Sequence, residues 1–204
     1  MRLVHLSDTH ELHRYVKVPD GDVLIHAGDF TNISSITAIN DFNDWLGDLP
    51  HAYKIVIAGN HDSKFESRPS IAKDMITNAI YLKDNSVEIE GIKFYGSPYT
   101  PVFMEWAFNA TENQRKIIWD KIPDDTDVLI THGPPKMIMD VDPWGNHVGC
   151  GYLMARVKKI KPKVHSFGHI HEGYGMKKID DTTFINCSIL QWKGPLMKPI
   201  IYDL

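Results

Sequence analysis

Asp8 and His10 lie two residues apart directly after the apolar run Leu3 to Leu6, where a carboxylate and an imidazole can turn toward one ion. Gly28-Asp29 ends the run Val23 to Ala27; glycine lets backbone approach closely, and the Asp29 carboxylate can bridge two cations. Gly59-Asn60-His61-Asp62 follows Ile55 to Ala58. It offers an amide oxygen on Asn60 that can ligate, a proton-donating imidazole on His61, and an Asp62 carboxylate able to orient that imidazole. Thr131-His132-Gly133-Pro134-Pro135 puts an imidazole at the mouth of a proline-stiffened loop, and Gly168-His169-Ile170-His171 adds two more whose spacing lets each face a neighbouring ion. Taken singly, each cluster has a bland alternative. Asp8 can cap a helix beside a surface His10, Gly28-Asp29 can be an ordinary turn, and a loop histidine is more often structural or solvated. Together they point to a metal site, because a fold rarely gathers so many ionisable groups at the ends of apolar runs without using them.

The elements that must position these groups are short β-branched runs: Leu3 to Leu6, Val23 to Ala27, Ile55 to Ala58, Val128 to Thr131 and Val164 to Phe167. Between them the spacing predicts helices over about Ser34 to Leu49, Ser70 to Asn78, Thr111 to Lys121 and Cys150 to Ile160. The first carries Ile36, Ile39, Phe42, Trp45, Leu46 and Leu49 at helical intervals. Further strands are expected at Ile80 to Leu82, Val87 to Ile89, Ile92 to Tyr95, Gly175 to Ile179, Thr183 to Asn186 and Pro199 to Tyr202, many at hairpin spacing. Strands alternating with helices imply α/β architecture with mixed sheets and the polar clusters at the carboxyl ends of strands.

The chain has 204 residues, 43% of them hydrophobic, enough for one well-buried core, and no repeat or Gly/Ser/Pro-rich linker divides it; residues 1–204 are expected to form a single domain. Asp8, His10 and Glu11 interrupt the only apolar stretch near the N-terminus, and no later run approaches membrane-spanning length, so no membrane partner is expected. Two cysteines, Cys150 and Cys187, need no disulfide framework and suit a reducing, cytoplasmic setting. A net charge of −4 argues against a long nucleic acid as partner. The sequence carries no signal for oligomeric state.

In their order Asp8-x-His10, Gly28-Asp29, Gly59-Asn60-His61-Asp62, His132 and Gly168-His169-x-His171, these motifs resemble the calcineurin-like metallophosphoesterase superfamily, with every element of its pattern present. The resemblance implies a four-layer α-β-β-α sandwich of two mixed sheets flanked by helices, with the site at one edge. It also implies that Asp8, His10, Asp29 and His171 hold one divalent cation and Asp29, Asn60, His132 and His169 a second. His61 then serves as general acid or transition-state donor. Protein Ser/Thr phosphatases of this superfamily extend the second motif to GDxxDRG, whereas here it runs Gly28-Asp29-Phe30-Thr31-Asn32 without the arginine, which disfavours that activity. His132-Gly133-Pro134-Pro135, Gly149-Cys150, Phe167 to Gly175 and Ile185-Asn186-Cys187-Ser188 look like the small MPPED-type branch, associated with nucleotide and cyclic-nucleotide phosphodiester hydrolysis.

Two cations about 4 Å apart can share a hydroxide and aim it in line at phosphorus. The oxygen and imidazole donors suit Mn²⁺, Fe or Zn²⁺ better than Ca²⁺, with Mn²⁺ favoured by the resemblance. The expected substrate is a small phosphodiester, with a phosphomonoester or, in a nuclease, single-stranded DNA as alternatives. A binding module that has lost catalysis would lack a ligand, and none is missing.

The other histidines have quieter expectations. His5, His26 and His165 fall inside strand patterns and should be packed, and His51 should be a loop residue, whereas His13 and His147 lie near motifs and are candidates to touch substrate. Lys158-Lys159-Ile160-Lys161-Pro162-Lys163 should be a solvated helix end, with a lesser option of attracting anions. Trp106, Trp144 and Tyr174 can cover the core or stack a base, and Asn186 joins Tyr174 as a pocket candidate.

Overall fold

The computed structural model describes residues 1–191 and 193–204, apart from the side chains of residues 72 and 73. Its strands are β1 (Arg2–Leu6), β2 (Val23–His26), β3 (Tyr53–Val56), β4 (Ile80–Tyr81), β5 (Asn85–Ile89), β6 (Ile92–Ser97), β7 (Thr100–Pro101), β8 (Asn109–Ala110), β9 (Val128–Thr131), β10 (Val164–Phe167), β11 (Gly175–Ile179), β12 (Thr182–Asn186) and β13 (Ile200–Asp203). The helices are α1 (Ile36–Asp48), α2 (Ser63–Ser67), α3 (Ser70–Met75), α4 (Glu112–Asp120) and α5 (Gly151–Ile160). None is long and apolar enough to cross a membrane.

Two large sheets result, ordered β13-β1-β2-β3-β4 and β11-β12-β10-β9-β6-β5. Within each, the central strands are parallel and the chain enters antiparallel only at edges: β13 on β1, β11 on β12, and β5 on β6. Glu90 and Gly91, both at positive φ, close the β5–β6 hairpin as a two-residue turn of the kind strand twist favours.

The sheets stack because their strands are apolar on both faces, which is why these runs read as continuous rather than alternating. Leu3, Val23, Ile25, Ile55, Phe94, Val128, Ile130, Val164 and Ile185 fill the space between the sheets. On the outer face of the first sheet Val4, Leu6, Leu24 and Val56 meet Ile39, Phe42, Trp45 and Leu46 of α1 and Phe65 of α2. On the outer face of the second, Tyr95, Leu129, Phe167 and Phe184 meet Trp119 of α4 and Leu153 and Val157 of α5. The result is the four-layer α-β-β-α sandwich.

Local chemistry sets the helix ends. Ser35 accepts from the Ala38 N–H at 3.1 Å to start α1, and Thr111 with Gln114 forms a reciprocal cap at α4. The helix expected from Ser70 to Asn78 stops at Met75, because Asn43 Oδ1 takes the N–H groups of Thr77 and Asn78 at 2.9 and 3.0 Å and draws them out of the helical ladder. Helix α2 and the β7–β8 pair are too short to show in sequence periodicity.

An isolated parallel bridge between Ser7, just after β1, and Ser188, just after β12, brings the carboxyl ends of the two sheets' strands to one edge. All five polar clusters emerge there.

Candidate metal centre

The loops at this edge are strained and interlocked. Asp8, His10, Asp29 and His169 adopt φ of 55, 42, 56 and 67°, a left-handed region that costs about 1–3 kcal/mol per non-glycine residue and persists only where surroundings enforce it. Enforcement comes from Asp8 N–H donating to Gly28 O at 2.9 Å, His10 N–H to Asp29 O at 3.1 Å, and His169 N–H to the Asp8 carboxylate at 3.0 Å. Gly28 is required twice over: its φ is +98°, and a Cβ there would lie 2.7 Å from His132 Nδ1. A Cβ on Gly59 would collide with the Asp29 carboxylate.

Three trios of side chains bring their donor atoms within 4.8 Å of one another: Asp8, His10 and His171; His10, Asp29 and His61; Asp29, His132 and His169. His171 Nε2 is 3.5 Å from Asp8 Oδ1, His10 Nε2 3.8 Å from Asp29 Oδ2, and His132 Nε2 3.3 Å from Asp29 Oδ2. Asn60 Oδ1 joins the second group, 2.9 Å from His132 Nε2. The seven side chains read as ligands from the sequence therefore converge at one place, with Asp29 in the middle.

The donor set suits a cation. His132 Nδ1 donates to the Ala27 carbonyl at 2.9 Å, which turns the Nε2 lone pair toward Asn60 Oδ1, so two acceptors face each other. A proton on Nε2, a cation between the two atoms or a turned Asn60 amide relieves this. Burial opposes a charge on His132, but the Asp29 and Asp8 carboxylates outweigh it and lift the imidazole to about 9. Burial likewise opposes ionisation of Asp29, yet the His132 charge and bond hold it at about 2. Asp8 is drawn well below the carboxylate range against its burial, chiefly by His171. Among the described residues, every ion-pair partner of Asp8 and Asp29 is a histidine, never Lys or Arg. Buried carboxylates with imidazoles and an amide oxygen fit Mn²⁺, Fe or Zn²⁺.

His61 is held by its backbone and its ring. Its N–H donates to Asp29 Oδ1 at 2.8 Å, its Nδ1 bonds the Asn32 carbonyl at 2.8 Å, and its ring lies 4.1 Å from that of Trp106, centroid to centroid. The orienting role expected of Asp62 thus falls to Asn32. Asp62 instead accepts from the N–H groups of Asp29 (2.9 Å), Gly59 (2.8 Å) and Thr31 (3.0 Å) and from the Thr31 hydroxyl (2.7 Å). It is a buried clasp between two ligand loops, and burial followed by the Asp29 charge pushes it up to about 7.

Other expectations resolve by position. His13 is fully buried against Phe42 and Trp45 and bonded to Asp41 at 2.9 Å, so it turns its back on the site. His147 is partly exposed, with Nδ1 2.6 Å from the buried Asp140. Asn186 donates to Ile170 O at 2.8 Å, bracing the His169–His171 turn, and Tyr174 spends its hydroxyl on Lys198 O. His5, His26 and His165 are buried and bonded to Ser166, Thr9 and Thr131. Lys159 and Lys163 reach Asp124 and Asp127 at the amino ends of β9 and β10, the edge opposite the cluster, so they offer no pull on a substrate there. Sequence reasoning missed Thr31 and Asn32, although both continue the Gly28-Asp29 motif.

Comparison with known proteins gives a consistent result. The profile of the calcineurin-like phosphoesterases matches residues 1–173. Metallophosphoesterase domain-containing protein 1 of Homo sapiens is 41% identical over 230 residues, covering 100% of this chain and 71% of that protein. A UPF0046 protein of Caenorhabditis elegans is 39% identical over 228 residues, covering 100% of this chain and 81% of that one. Among solved structures, the protein TT1561 of Thermus thermophilus shares the fold, with a TM-score of 0.63 at 13% identity over 92% of this chain and 88% of that one.

Proposed function

The chain belongs to the calcineurin-like phosphoesterase family and is a metal-dependent phosphoester hydrolase, and from that premise we propose that it is a phosphodiesterase for small substrates of nucleotide or cyclic-nucleotide type. The observation that carries the diester preference is the lack, among the described residues, of any Lys or Arg paired with the Asp8–Asp29 cluster. A monoester dianion would leave its second charge without a side-chain partner, whereas a diester carries a single charge. Ile33 stands where the related protein phosphatases supply arginine.

Asp8, His10, Asp29 and His171 would hold one divalent cation and Asp29, Asn60, His132 and His169 the other, with Mn²⁺ favoured over Fe or Zn²⁺, which offer the same chemistry. Such a pair supplies Lewis acidity and lowers the pKa of water to about 7. The chain's own residues do the rest. Ala27 O fixes the His132 tautomer, Asn186 and Asp62 keep the ligand loops in register, and His61, with Nδ1 on the Asn32 carbonyl, presents Nε2 to protonate the departing oxygen as its bond to phosphorus breaks. The free, buried Cys150 and Cys187 support a reducing, cytoplasmic setting.

The test is a panel on Mn²⁺-loaded protein: a bis-aryl phosphate, cyclic nucleotides, an aryl monophosphate and single-stranded DNA. The diesters should exceed the monoester in kcat/KM by about 10-fold or more, the discrimination one unpaired charge gives. Equal or faster monoester turnover overturns the preference, and efficient DNA cleavage favours a nuclease.

A further inference from the structure

Trp106 has no place in the chemistry above, yet it is the largest side chain touching His61. The indole and imidazole centroids are 4.1 Å apart with planes tilted by 34°, while the edge of His10 meets the same imidazole at 4.7 Å. The segment that delivers the indole is rigid. Ala107 N–H donates to the carbonyl of Asn60 at 3.3 Å, tying the position after Trp106 to a proposed ligand loop, and Phe108 N–H donates to Glu66 Oε1 at 2.9 Å. Asn109 clamps the turn before it, accepting from Phe103 N–H at 3.1 Å and donating to the Phe103 and Met104 carbonyls at 3.2 and 2.9 Å. Phe108, fully buried at φ 56°, anchors the far side.

We propose that Trp106 is a positioning residue for His61: the Asn32 carbonyl sets which imidazole edge turns outward, and the indole face sets the tilt of the ring, so that Nε2 meets the leaving oxygen. The indole face in contact with His61 is closed to substrate, so its effect is exerted through the imidazole. This deepens the phosphodiesterase reading and rests on the proposed role of His61.

The experiment compares wild type, Trp106→Phe, Trp106→Ala, His61→Ala and the Trp106→Ala/His61→Ala pair, all Mn²⁺-loaded, on aryl phosphodiesters of increasing leaving-group basicity. Trp106→Ala should lower kcat by about 10- to 100-fold, the scale of a misplaced catalytic group. The loss should grow with leaving-group basicity, KM should stay within about 2-fold, Trp106→Phe should recover most of the rate, and adding His61→Ala should deepen the loss little. If Trp106→Ala does not fold, Trp106→Leu, which keeps bulk without a planar face, gives the same readout. A leaving-group profile parallel to wild type, a loss confined to KM, or additive losses in the pair overturns the proposal. If His61→Ala itself shows no leaving-group dependence, the acid role fails and this inference with it; if His61→Ala shows it and Trp106→Ala does not, the positioning role alone is wrong.

Discussion

The two ends of the sandwich handle charge in opposite ways. At the amino ends of β9 and β10, Lys163 meets Asp127 at 2.9 Å, Arg156 meets Asp124 at 2.6 Å, and Lys93 meets Asp125, with Asp124, Asp125 and Lys163 open to water. At the carboxyl ends, one strand length or about 13 Å away, Asp8 and Asp29 are 0% and 2% exposed, and among the described residues their ion-pair partners are all histidines. Exposed charges cost little to hold and repay little when paired, whereas a buried carboxylate without a countercharge is expensive. The same strands therefore end in a self-neutralised rim on one side and, on the other, in buried carboxylates whose ion-pair partners among the described residues are histidines, a donor set that divalent ions would complete.

The contrast can be broken outright. Asp29→Ala removes the side chain common to both trios that lack Asp8, and metal analysis with a diester assay should find ion content reduced and turnover down by about 10³-fold or more, comparable to losing a central catalytic group. Full activity in that variant, or in wild type after exhaustive chelation, would erase the distinction between the two ends. A sharper cut separates ligand from acid: His61→Ala should lose about 10²- to 10⁴-fold in turnover while keeping its ions, and Asn60→Ala should lose both. Identical ion content in the two variants would show that Asn60 and His61 do not differ in the way proposed.

Burial, as distinct from pairing, can be read from acid titration. Burial pushes His5 and His165 down to about 3 from the ordinary 6.5, so below pH 6.5 the unfolded chain takes protons that the native chain refuses. Their contribution is fully present above pH 6.5 and is lost as pH falls toward 3, at about 1.4 kcal/mol per pH unit for each histidine. Urea melts at pH 7 and 5 should reveal it, and replacing His165 by Gln should flatten the slope. The smallest effect belongs to the far rim, where Lys163→Ala should cost less than about 1 kcal/mol and leave turnover unchanged.

Much of this was legible in the sequence. Short Val/Ile/Leu runs ending in Gly-Asp, Gly-Asn-His and Gly-His announce buried parallel strands feeding polar loops, because both the apolar run and the close-approach glycine are local signals. What escaped depends on contacts between segments far apart in the chain. The end of α3 is set by Asn43 on another helix, the ring of His61 by Asn32 and Trp106, and three of the four bonds of Asp62 by the Asp29–Thr31 loop, to which it does not belong. An Asp beside a His reads as its partner in one dimension; in three, the backbone N–H groups of neighbouring loops reach the carboxylate first.

The parallel bridge that joins the carboxyl ends of the two sheets also sets a timetable. Asp8, His10, Asp29 and Asn60 leave the first sheet, His132, His169 and His171 leave the second, and the bond from His169 to Asp8 spans 161 positions. Each proposed ion would draw on both sheets, so its ligand set would be complete only across the closure that brings His169 to Asp8. During synthesis the centre is complete only after residue 171 has emerged. A metal held there would fasten together two sheets whose ligand loops are far apart along the chain.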